Sequence, residues 1–180
     1  MYSKKLLSLE EARRVGNAAL SKAMENPERP MAIAVVDAIG ELVYFVKMDN
    51  APLLATKMPL HKAYTVIHFG MDTADVSKFL AEDPSRLDTS DFVDPRFTTI
   101  PGGVALRAPD GTLIGAIGTS GRAPHVDKVS DLEVALAGVK ALSFQENNQP
   151  ILGNDVSQEV KRKTRSSILL YTQIHHLYQV

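Results

Sequence analysis

The chain has 180 residues, of which 44% are hydrophobic and 23% charged, and its formal net charge is -1. This length and composition predict one globular domain, with or without an extension, and enough apolar side chains for a core. The balanced charge gives no electrostatic basis for binding nucleic acid or an anionic membrane, and no apolar run reaches the length of a membrane span. The absence of cysteine excludes disulfides, thiolate metal ligands and a thiol nucleophile. The N-terminal residues lack the apolar stretch of a secretory signal, so we expect a cytoplasmic location.

The N-terminal part of the chain predicts a helix followed by a β-hairpin. Ser8 and Glu11 form an S-x-x-E capping box, and apolar residues at helical spacing follow until two prolines end the helix near Glu25. Residues 31–36 are rich in β-branched side chains, and residues 42–47 return after a short polar turn. This arrangement is typical of two antiparallel strands.

The middle of the chain predicts two helices and a long loop. The apolar pattern indicates a helix over Leu53–Phe69, with a kink or a restart at Pro59, and Asp72 then caps a short helix through Ala81. Residues 82–96 are polar, contain two prolines and lack periodicity, so we interpret them as a surface loop. Long loops of this kind often cover a site or contact a partner.

The region from residue 97 to residue 144 predicts three strands and a helix. The strands are predicted at Phe97–Ile100, Val104–Arg107 and Leu113–Thr119. Ser130 and Glu133 form a second capping box, which predicts a helix over residues 132–144. Hairpins separated by helices indicate an antiparallel sheet with helices packed on it. No glycine motif of a nucleotide-binding fold opens a helix after a strand.

Glycines surround the last predicted hairpin. Gly102 and Gly103 precede its first strand, and Gly118 and Gly121 flank the end of its second strand. Both groups lie at the same end of the hairpin, where bare backbone permits either turn formation or the close approach of another group. The sequence leaves both interpretations open.

Three sequence blocks resemble the GlcG/HbpS family, which includes the C-terminal domain of PduO-type proteins. The blocks are MAIAVVDAIGELVYFVKMDNAP at 31–52, HKAYT at 61–65 and FTTIPGGVALRAPDGTLIGAIGTSG at 97–121, followed by the helical sequence DLEVALAGVKAL. They agree with the family in order and spacing over residues 5–145. The resemblance implies an α/β fold of the α+β kind, with a central five-stranded antiparallel sheet and helices packed on it. It also implies haem binding or degradation and assembly into homo-oligomers, often octamers.

The resemblance ends before the C-terminal tail. We therefore divide the chain into a GlcG/HbpS-like domain, residues 1–147, and an extension, residues 148–180. The extension contains the basic run KRKTR, followed by apolar residues at helical spacing. Because an apolar segment rarely stays free in water, we expect a helical extension that packs on its own core or on a neighbouring subunit. A short basic run in a near-neutral chain favours a solvated helix face over a nucleic-acid site.

His61 and Lys62 are the predicted catalytic residues. The lysine can neutralise a carboxylate of haem or of a small acid, and a partly desolvated lysine can act as a base or a Schiff-base nucleophile. The imidazole can serve as a general acid or base, or as an axial iron ligand. The alternative is that both side chains are exposed or lie in a subunit interface. His68 is about 10 Å farther along the helix, too far to share one metal ion with His61, so we predict no metal site.

A second set of residues is predicted to bind a ligand at the glycine-rich strand ends: Gly102, Gly103, Arg107, Thr119, Ser120, Gly121 and His125. Backbone amides and the two hydroxyls can donate to an oxyanion or a carboxylate, and Arg107 and Arg122 are candidate anion anchors. His125 has Asp127 close by in sequence as an orienting carboxylate. Turn formation and ordinary surface charge are the alternatives for these residues.

Three functions fit these observations. The first is a haem-binding or haem-handling protein with haem as its cofactor. The second is a small-molecule catabolic enzyme, an isomerase or hydrolase that performs acid–base chemistry on an anionic substrate. The third is a noncatalytic oligomeric scaffold. We rank haem first because it is the activity that the resemblance implies, and we expect a small-molecule ligand and a homo-oligomer, without nucleic acid or membrane as partners.

Overall fold

The computed structural model describes residues 5–82, 94–123 and 127–142. The described elements are, in chain order, α1 (Leu9–Ala23), β1 (Ala32–Asp37), β2 (Leu42–Lys47), α2 (Leu53–Phe69), α3 (Thr73–Ala81), β3 (Gly103–Arg107), β4 (Leu113–Ser120) and α4 (Asp131–Lys140). They belong to one compact unit within Met1–Phe144. The predicted extension, residues 148–180, and His125 lie outside the described residues, as does most of the predicted loop over residues 82–96.

The four strands form one antiparallel sheet in the order β2-β1-β4-β3. In the centre of the sheet, Ala34 of β1 lies opposite Phe45 of β2 on one side and opposite Gly118 of β4 on the other. β3 joins the outer side of β4, with Val104 opposite Ile117. The structure therefore confirms the two predicted hairpins and the mixed α+β architecture.

The prediction of a fifth strand is wrong for residues 97–100, which pair with no strand in the described part of the chain. The free edge of β3 is occupied by side chains instead. Thr73 Oγ1 accepts from the Gly103 amide at 3.0 Å, and Asp72 Oδ1 accepts from the Ala105 amide at 2.8 Å. Amides satisfied in this way cannot pair with a further strand. Asp72, predicted as the side-chain cap of α3, serves this strand edge and makes no cap hydrogen bond.

Both predicted capping boxes are present at the starts of α1 and α4. The Ser8 hydroxyl accepts from the Glu11 amide, and the Glu11 carboxylate accepts from the Ser8 amide. Ser130 and Glu133 repeat this reciprocal pattern. Each box satisfies amides that the first helical turn leaves without partners. The helices end earlier than predicted, at Ala23 for α1 and at Lys140 for α4.

The sheet is covered by helices on both faces, and β1 is buried along its whole length. On one face α1 and α4 pack together over the larger core, which includes Val15, Ala19, Ile33, Val35, Ile117 and Val134. On the other face α2 packs against β4, β1 and β3, with a smaller core of Val36, Ala63, Val66 and Ala116. Side chains alternate between these cores because successive strand residues point to opposite faces.

Helix α2 lies unusually close to the sheet, and glycines make this approach possible. It continues through Pro59 without a break. A methyl group on Gly118 would overlap the Pro59 carbonyl oxygen, and one on Gly103 would come within 2.7 Å of the Lys62 carbonyl oxygen. Of the two interpretations that the sequence allows, the close approach of another group therefore holds at these two positions, and that group is the backbone of α2.

Candidate functional site

Lys62 and Asp131 form an ion pair inside the protein. The Lys62 side chain is only 1% exposed, and its ammonium donates to Asp131 Oδ2 at 2.7 Å and to the Thr119 carbonyl oxygen at 2.7 Å. Lys62 belongs to α2 and Asp131 begins α4, and these helices cover opposite faces of the sheet. The lysine side chain therefore reaches past the ends of β3 and β4 and links the two helical layers.

The surroundings of this pair consist of backbone groups at the strand ends. Asp131 Oδ1 accepts from the Arg122 amide at 2.9 Å, and the Thr119 hydroxyl donates to the Asp131 carbonyl oxygen at 2.6 Å. A methyl group on Gly102 would lie 3.0 Å from Lys62 Nζ and 2.8 Å from the Thr119 carbonyl oxygen. Gly102 also has φ of +117°, which disfavours any other residue. The glycine is therefore needed to leave room for the ion pair.

Burial has the largest effect on the pKa of each partner. It lowers the pKa of the Lys62 ammonium and raises the pKa of the Asp131 carboxyl, while the opposite charge of the partner acts against both shifts. A base or Schiff-base role for Lys62 requires the amine to meet a substrate. In the structure this amine has two protein acceptors and almost no exposed surface. The catalytic role of Lys62 stays a prediction.

The other residues predicted at the strand ends fall into two groups. Thr119 and Gly102 lie beside the Lys62 ion pair, and Ser120 and Gly121 continue from Thr119 with Ser120 buried. The Gly103 amide donates to Thr73, so it has a protein partner already. The structure thus brings these residues to one end of the sheet, where most of their polar groups bind the protein itself.

The two predicted anion anchors bind backbone carbonyl groups. Arg107 lies away from the ion pair, at the other end of β3, and donates to the carbonyl oxygens of Gly111 and Gly70 at 3.1 and 2.6 Å. Arg122 is 3% exposed, and its guanidinium donates to carbonyl oxygens at the C-terminal end of α1 and just beyond. Arg122 is therefore not the surface charge that the sequence allows as an alternative.

A second cluster of polar and aromatic side chains lies on the outer side of α2. We call it the Tyr64 cluster, and it consists of Tyr64, His68, Asp94, Arg96 and Phe97. The Tyr64 hydroxyl donates to Asp94 Oδ2 at 2.6 Å and accepts from Arg96 Nη2 at 2.6 Å. The Arg96 guanidinium also binds Asp94 and stacks over the Tyr64 ring, with Cζ 3.9 Å from the ring centroid. This arrangement fastens the segment that precedes β3 to helix α2.

The electrostatics of the cluster follow from these hydrogen bonds. The side chain of Arg96, and after it the hydroxyl of Tyr64, hold the pKa of the Asp94 carboxyl well below its usual range. The hydrogen bond to Asp94 raises the pKa of Tyr64, because ionised Tyr64 would face a carboxylate. Asp94 and Arg96 therefore remain charged and paired at neutral pH.

His68 completes the cluster at the last turn of α2. Its ring centroid lies 3.9 Å from that of Tyr64 and 5.6 Å from that of Phe97. Its Nδ1 atom lies 2.9 Å from the Tyr64 carbonyl oxygen, and the residue is exposed. His61, the histidine predicted as catalytic, is half-buried two turns earlier on the same helix, and its ring makes no hydrogen bond to any described residue.

Three charged residues of these sites escape prediction from the sequence, namely Asp131, Asp94 and Arg96. Asp131 follows the cap residue of α4, where an acidic residue has a sufficient local explanation. Asp94 and Arg96 belong to the segment that the sequence assigns to a loop. The spacing of Tyr64 and His68, four residues apart on a predicted helix, was the available signal for the second site.

Two further properties bear on ligands and surroundings. Within the residues that the structure describes, no three histidine, aspartate or glutamate side chains gather in a way that could hold a metal ion. Among the same residues, none of the helices has the length and apolar character needed to cross a membrane.

Comparisons with known proteins identify relatives of this chain. A family model described as "Haem degrading protein HbpS-like" matches residues 7–140. The corrinoid adenosyltransferase PduO of Citrobacter freundii is 26% identical over 139 residues, which are 77% of this chain and 41% of PduO. The PduO protein of Salmonella typhimurium is 25% identical over 137 residues, 76% of this chain and 39% of that protein. The chain thus spans about two fifths of the length of these curated relatives.

Solved structures give a consistent result. The PduOC:heme complex is 25% identical, with a TM-score of 0.66, and the match covers 76% of this chain and 94% of that one. A double mutant of HbpS from Streptomyces reticuli is 28% identical, also with a TM-score of 0.66, and the match covers 80% of this chain and 92% of that one.

Proposed function

The chain belongs to the HbpS-like family, and from this premise we propose that it is a haem-binding or haem-handling protein. The match extends over residues 7–140 and includes both sites described above. A structural relative of 25% identity is described as a complex with haem. These similarities support haem as the ligand class.

The observation that carries the proposal is the chemical composition of the Tyr64 cluster. A haem group needs an axial ligand, flat apolar surface against its ring and cations or donors for its propionates. The cluster offers the exposed imidazole of His68, the ring of Phe97, which is inclined by 68° to that imidazole, and the half-exposed guanidinium of Arg96. These side chains therefore match the chemical requirements of a haem group. The Lys62 ammonium, in contrast, is enclosed by its own ion pair.

Haem supplies redox and oxygen chemistry when it is bound. The role of the chain's own residues is to hold the ring, to orient the ligating imidazole and to set the polarity around it. Arg96 can donate to a propionate through Nη1, which makes no hydrogen bond to any described residue. Phe97 provides aromatic surface at the same place, whereas the Tyr64 ring packs on the imidazole itself, with centroids 3.9 Å apart.

The proposal is tested by titrating the protein with haemin and following the absorbance spectrum. We expect a saturable shift of the Soret band, with weaker binding of iron-free protoporphyrin IX because it lacks the axial bond. Circular dichroism of the same samples checks that the protein is folded. A folded protein that gives no saturable shift would overturn the proposed function.

An enzyme acting on an anionic small molecule is the second candidate, and the lowered pKa of Lys62 favours it. This candidate requires His61 and Lys62 to reach a substrate. Binding of small carboxylic acids that raises the melting temperature of wild type, but not of His61→Ala, would support it. Without such binding or haem binding, the noncatalytic scaffold is the remaining candidate.

We also propose that the chain forms a homo-oligomer, with an octamer as the expected form, in the cytoplasm. Large apolar side chains exposed in the described chain support the oligomer. Leu53 and Leu54 in the first turn of α2 are 76% and 71% exposed, and Phe45 on edge strand β2 is 43% exposed. A second copy would remove these side chains from water. Light scattering that gives a monomeric mass at micromolar concentration would contradict this proposal.

A further inference from the structure

We infer that the Nε2 atom of His68, and not His61, is the axial ligand to haem iron in this protein. The inference rests on the proposed haem function and assigns one ligating atom to it. It draws on three observations: the hydrogen bond of Nδ1, the aromatic contacts of the ring and the anchored segment beside it.

The hydrogen bond of His68 determines which nitrogen is available. Nδ1 lies 2.9 Å from the carbonyl oxygen of Tyr64, and a carbonyl oxygen can only accept. The proton of the neutral ring is therefore on Nδ1, and the lone pair is on Nε2. An Nδ1–H bond to a backbone carbonyl is one of the ways in which proteins fix the tautomer and orientation of a metal-ligating imidazole. His68 has this arrangement within a single helical turn.

Aromatic contacts hold the ring of His68 in place. The Tyr64 ring lies beside it at 3.9 Å between centroids, and Phe97 contacts it edge-on at 5.6 Å. The Phe69 ring contacts Phe97 in turn, at 5.4 Å. An imidazole restricted in this way loses little rotational freedom when it binds a ligand. His68 remains exposed all the same, so Nε2 can be reached from solvent.

The segment from Asp94 to Thr98 gives the site a second wall. Tyr64 binds Asp94 and Arg96, and the Thr98 amide donates to the Thr65 hydroxyl at 3.0 Å. These bonds keep Phe97 and Arg96 next to the His68 turn of α2. The site therefore joins an imidazole, an apolar wall and a donor for carboxylates on elements that are already fixed.

His61 lacks these features, which makes it the matched control. It is half-buried on the same helix, its ring has no hydrogen-bond partner among the described residues, and no aromatic ring there stacks on it. The two histidines are about 10 Å apart along the helix axis, so one iron atom cannot bind both without distortion of α2. Substitution of each one separately distinguishes the two assignments.

The test compares wild type, His68→Ala and His61→Ala by haemin titration and by electron paramagnetic resonance of the ferric complexes. We expect His68→Ala to bind haemin at least about tenfold more weakly and to change the spin-state signal. His61→Ala should match wild type in both measurements. Addition of free imidazole to His68→Ala should restore the wild-type spectrum, because it replaces the missing ligand.

Each outcome separates this inference from the proposed function. If wild type shows no haemin binding, the proposed function fails and the inference fails with it. If wild type and His68→Ala bind with the same affinity and spectrum, haem binding stands and the His68 assignment is overturned. Loss of binding in His61→Ala alone would transfer the assignment to His61.

A further variant tests the role of Arg96. Arg96→Gln should weaken binding of haemin, while binding of haemin dimethyl ester, which lacks free carboxylates, should change little. Equal weakening for both ligands would mean that Arg96 only anchors the segment and donates to no propionate.

Discussion

Lys62 and Asp131 are 69 residues apart in sequence, yet Nζ and Oδ2 lie 2.7 Å from each other inside the protein. Their side chains are 1% and 8% exposed. Since one belongs to α2 and the other to α4, the pair connects helices that cover opposite faces of the sheet. Buried ion pairs gain little net stability over apolar residues of similar size, but the loss of one partner leaves an uncompensated buried charge. The pair therefore makes the packing of the two layers depend on both residues.

We expect Lys62→Met to destabilise the protein by about 3–5 kcal/mol, because Asp131 would then be buried without its counter-charge. Urea denaturation followed by circular dichroism measures this change as a shift of the midpoint. Lys57→Met is the matched control, since Lys57 is exposed on the same helix, and it should change stability by no more than about 0.5 kcal/mol.

The double variant Lys62→Met/Asp131→Asn tests the origin of this loss. Asparagine keeps an acceptor for the Arg122 amide but removes the charge. The double variant should therefore be more stable than Lys62→Met alone. If Lys62→Met were as stable as wild type, the ion pair would have no role in holding the fold, and the catalytic prediction for Lys62 would gain weight.

The hydrogen bonds of Asp94 predict a contribution to stability that depends on pH. The pKa of its carboxyl is lowered in the folded protein, chiefly by Arg96 and then by Tyr64. In the unfolded chain the same carboxyl has the usual aspartate pKa of about 3.9. Between these two pKa values the folded state therefore binds fewer protons than the unfolded state, and the free energy of unfolding rises with pH. The contribution is complete above the unfolded pKa and is lost as pH falls through the folded pKa.

We test this by measuring the urea midpoints of wild type and Asp94→Asn between pH 7 and pH 3. The difference between them should be constant near neutrality and should shrink below about pH 4. Asp49→Asn removes an exposed carboxylate and serves as the control. An equal difference between wild type and Asp94→Asn at pH 7 and pH 3 would contradict the assignment of this effect to Asp94.

Features encoded by neighbouring residues were predictable from the sequence. The capping boxes at Ser8 and Ser130 each use a partner three residues away, and strand β2 matches its predicted bounds, Leu42–Lys47. The prediction of a fifth strand was wrong because the side chains of Asp72 and Thr73, about 30 residues earlier in the chain, already bind the amides at the edge of β3. No pattern among neighbouring residues predicts that side chains from a distant segment will bind this edge.

The site residues illustrate the same division. Lys62 was singled out from the sequence, but its partner Asp131 is specified only by the fold. Tyr64 and His68 share a helix face by their spacing, whereas Asp94 and Arg96 reach Tyr64 from 30 and 32 residues away. Residue types that can act as acids, bases or ligands are recognisable in a sequence. Their distant partners are known only from the folded structure.

The close approach of α2 predicts that Gly118 tolerates no side chain. A methyl group there would overlap the carbonyl oxygen of Pro59 and lie 2.9 Å from the Ala63 amide nitrogen. Both are backbone atoms of α2, which cannot move aside singly. We expect Gly118→Ala to cost about 3 kcal/mol, the upper end of the range for overpacking, as measured by urea denaturation.

Gly40→Ala is the control for this substitution. Gly40 has φ of +86° but open space around it, so the expected cost is only that of the left-handed conformation, about 1–2 kcal/mol. Equal costs for the two variants would show that α2 is free to move away from the sheet. In that case Lys62 would also lose its fixed position at the strand ends.

The guanidinium of Arg122 stabilises the end of α1, and its replacement should reveal how much. Nη2 donates to the carbonyl oxygens of Ala23 and Asn26 at 2.6 and 2.7 Å, and Nε donates to that of Arg29 at 2.8 Å. Ala23 is the last residue of α1, and Asn26 and Arg29 belong to the segment that connects α1 to β1. Arg122→Met would remove charge-assisted hydrogen bonds from a buried place, at an expected cost of about 3 kcal/mol in the free energy of unfolding.

Arg122→Lys separates the charge from the geometry. A single ammonium cannot reproduce the planar fork that contacts three carbonyl groups, so its urea midpoint should lie between those of wild type and Arg122→Met. Lys78→Met removes an exposed ion pair with Asp75 and should cost no more than about 1 kcal/mol. If Arg122→Met cost no more than Lys78→Met, the contacts of Arg122 with α1 would contribute nothing beyond a surface pair. That result would favour the predicted role of Arg122 as an anion anchor.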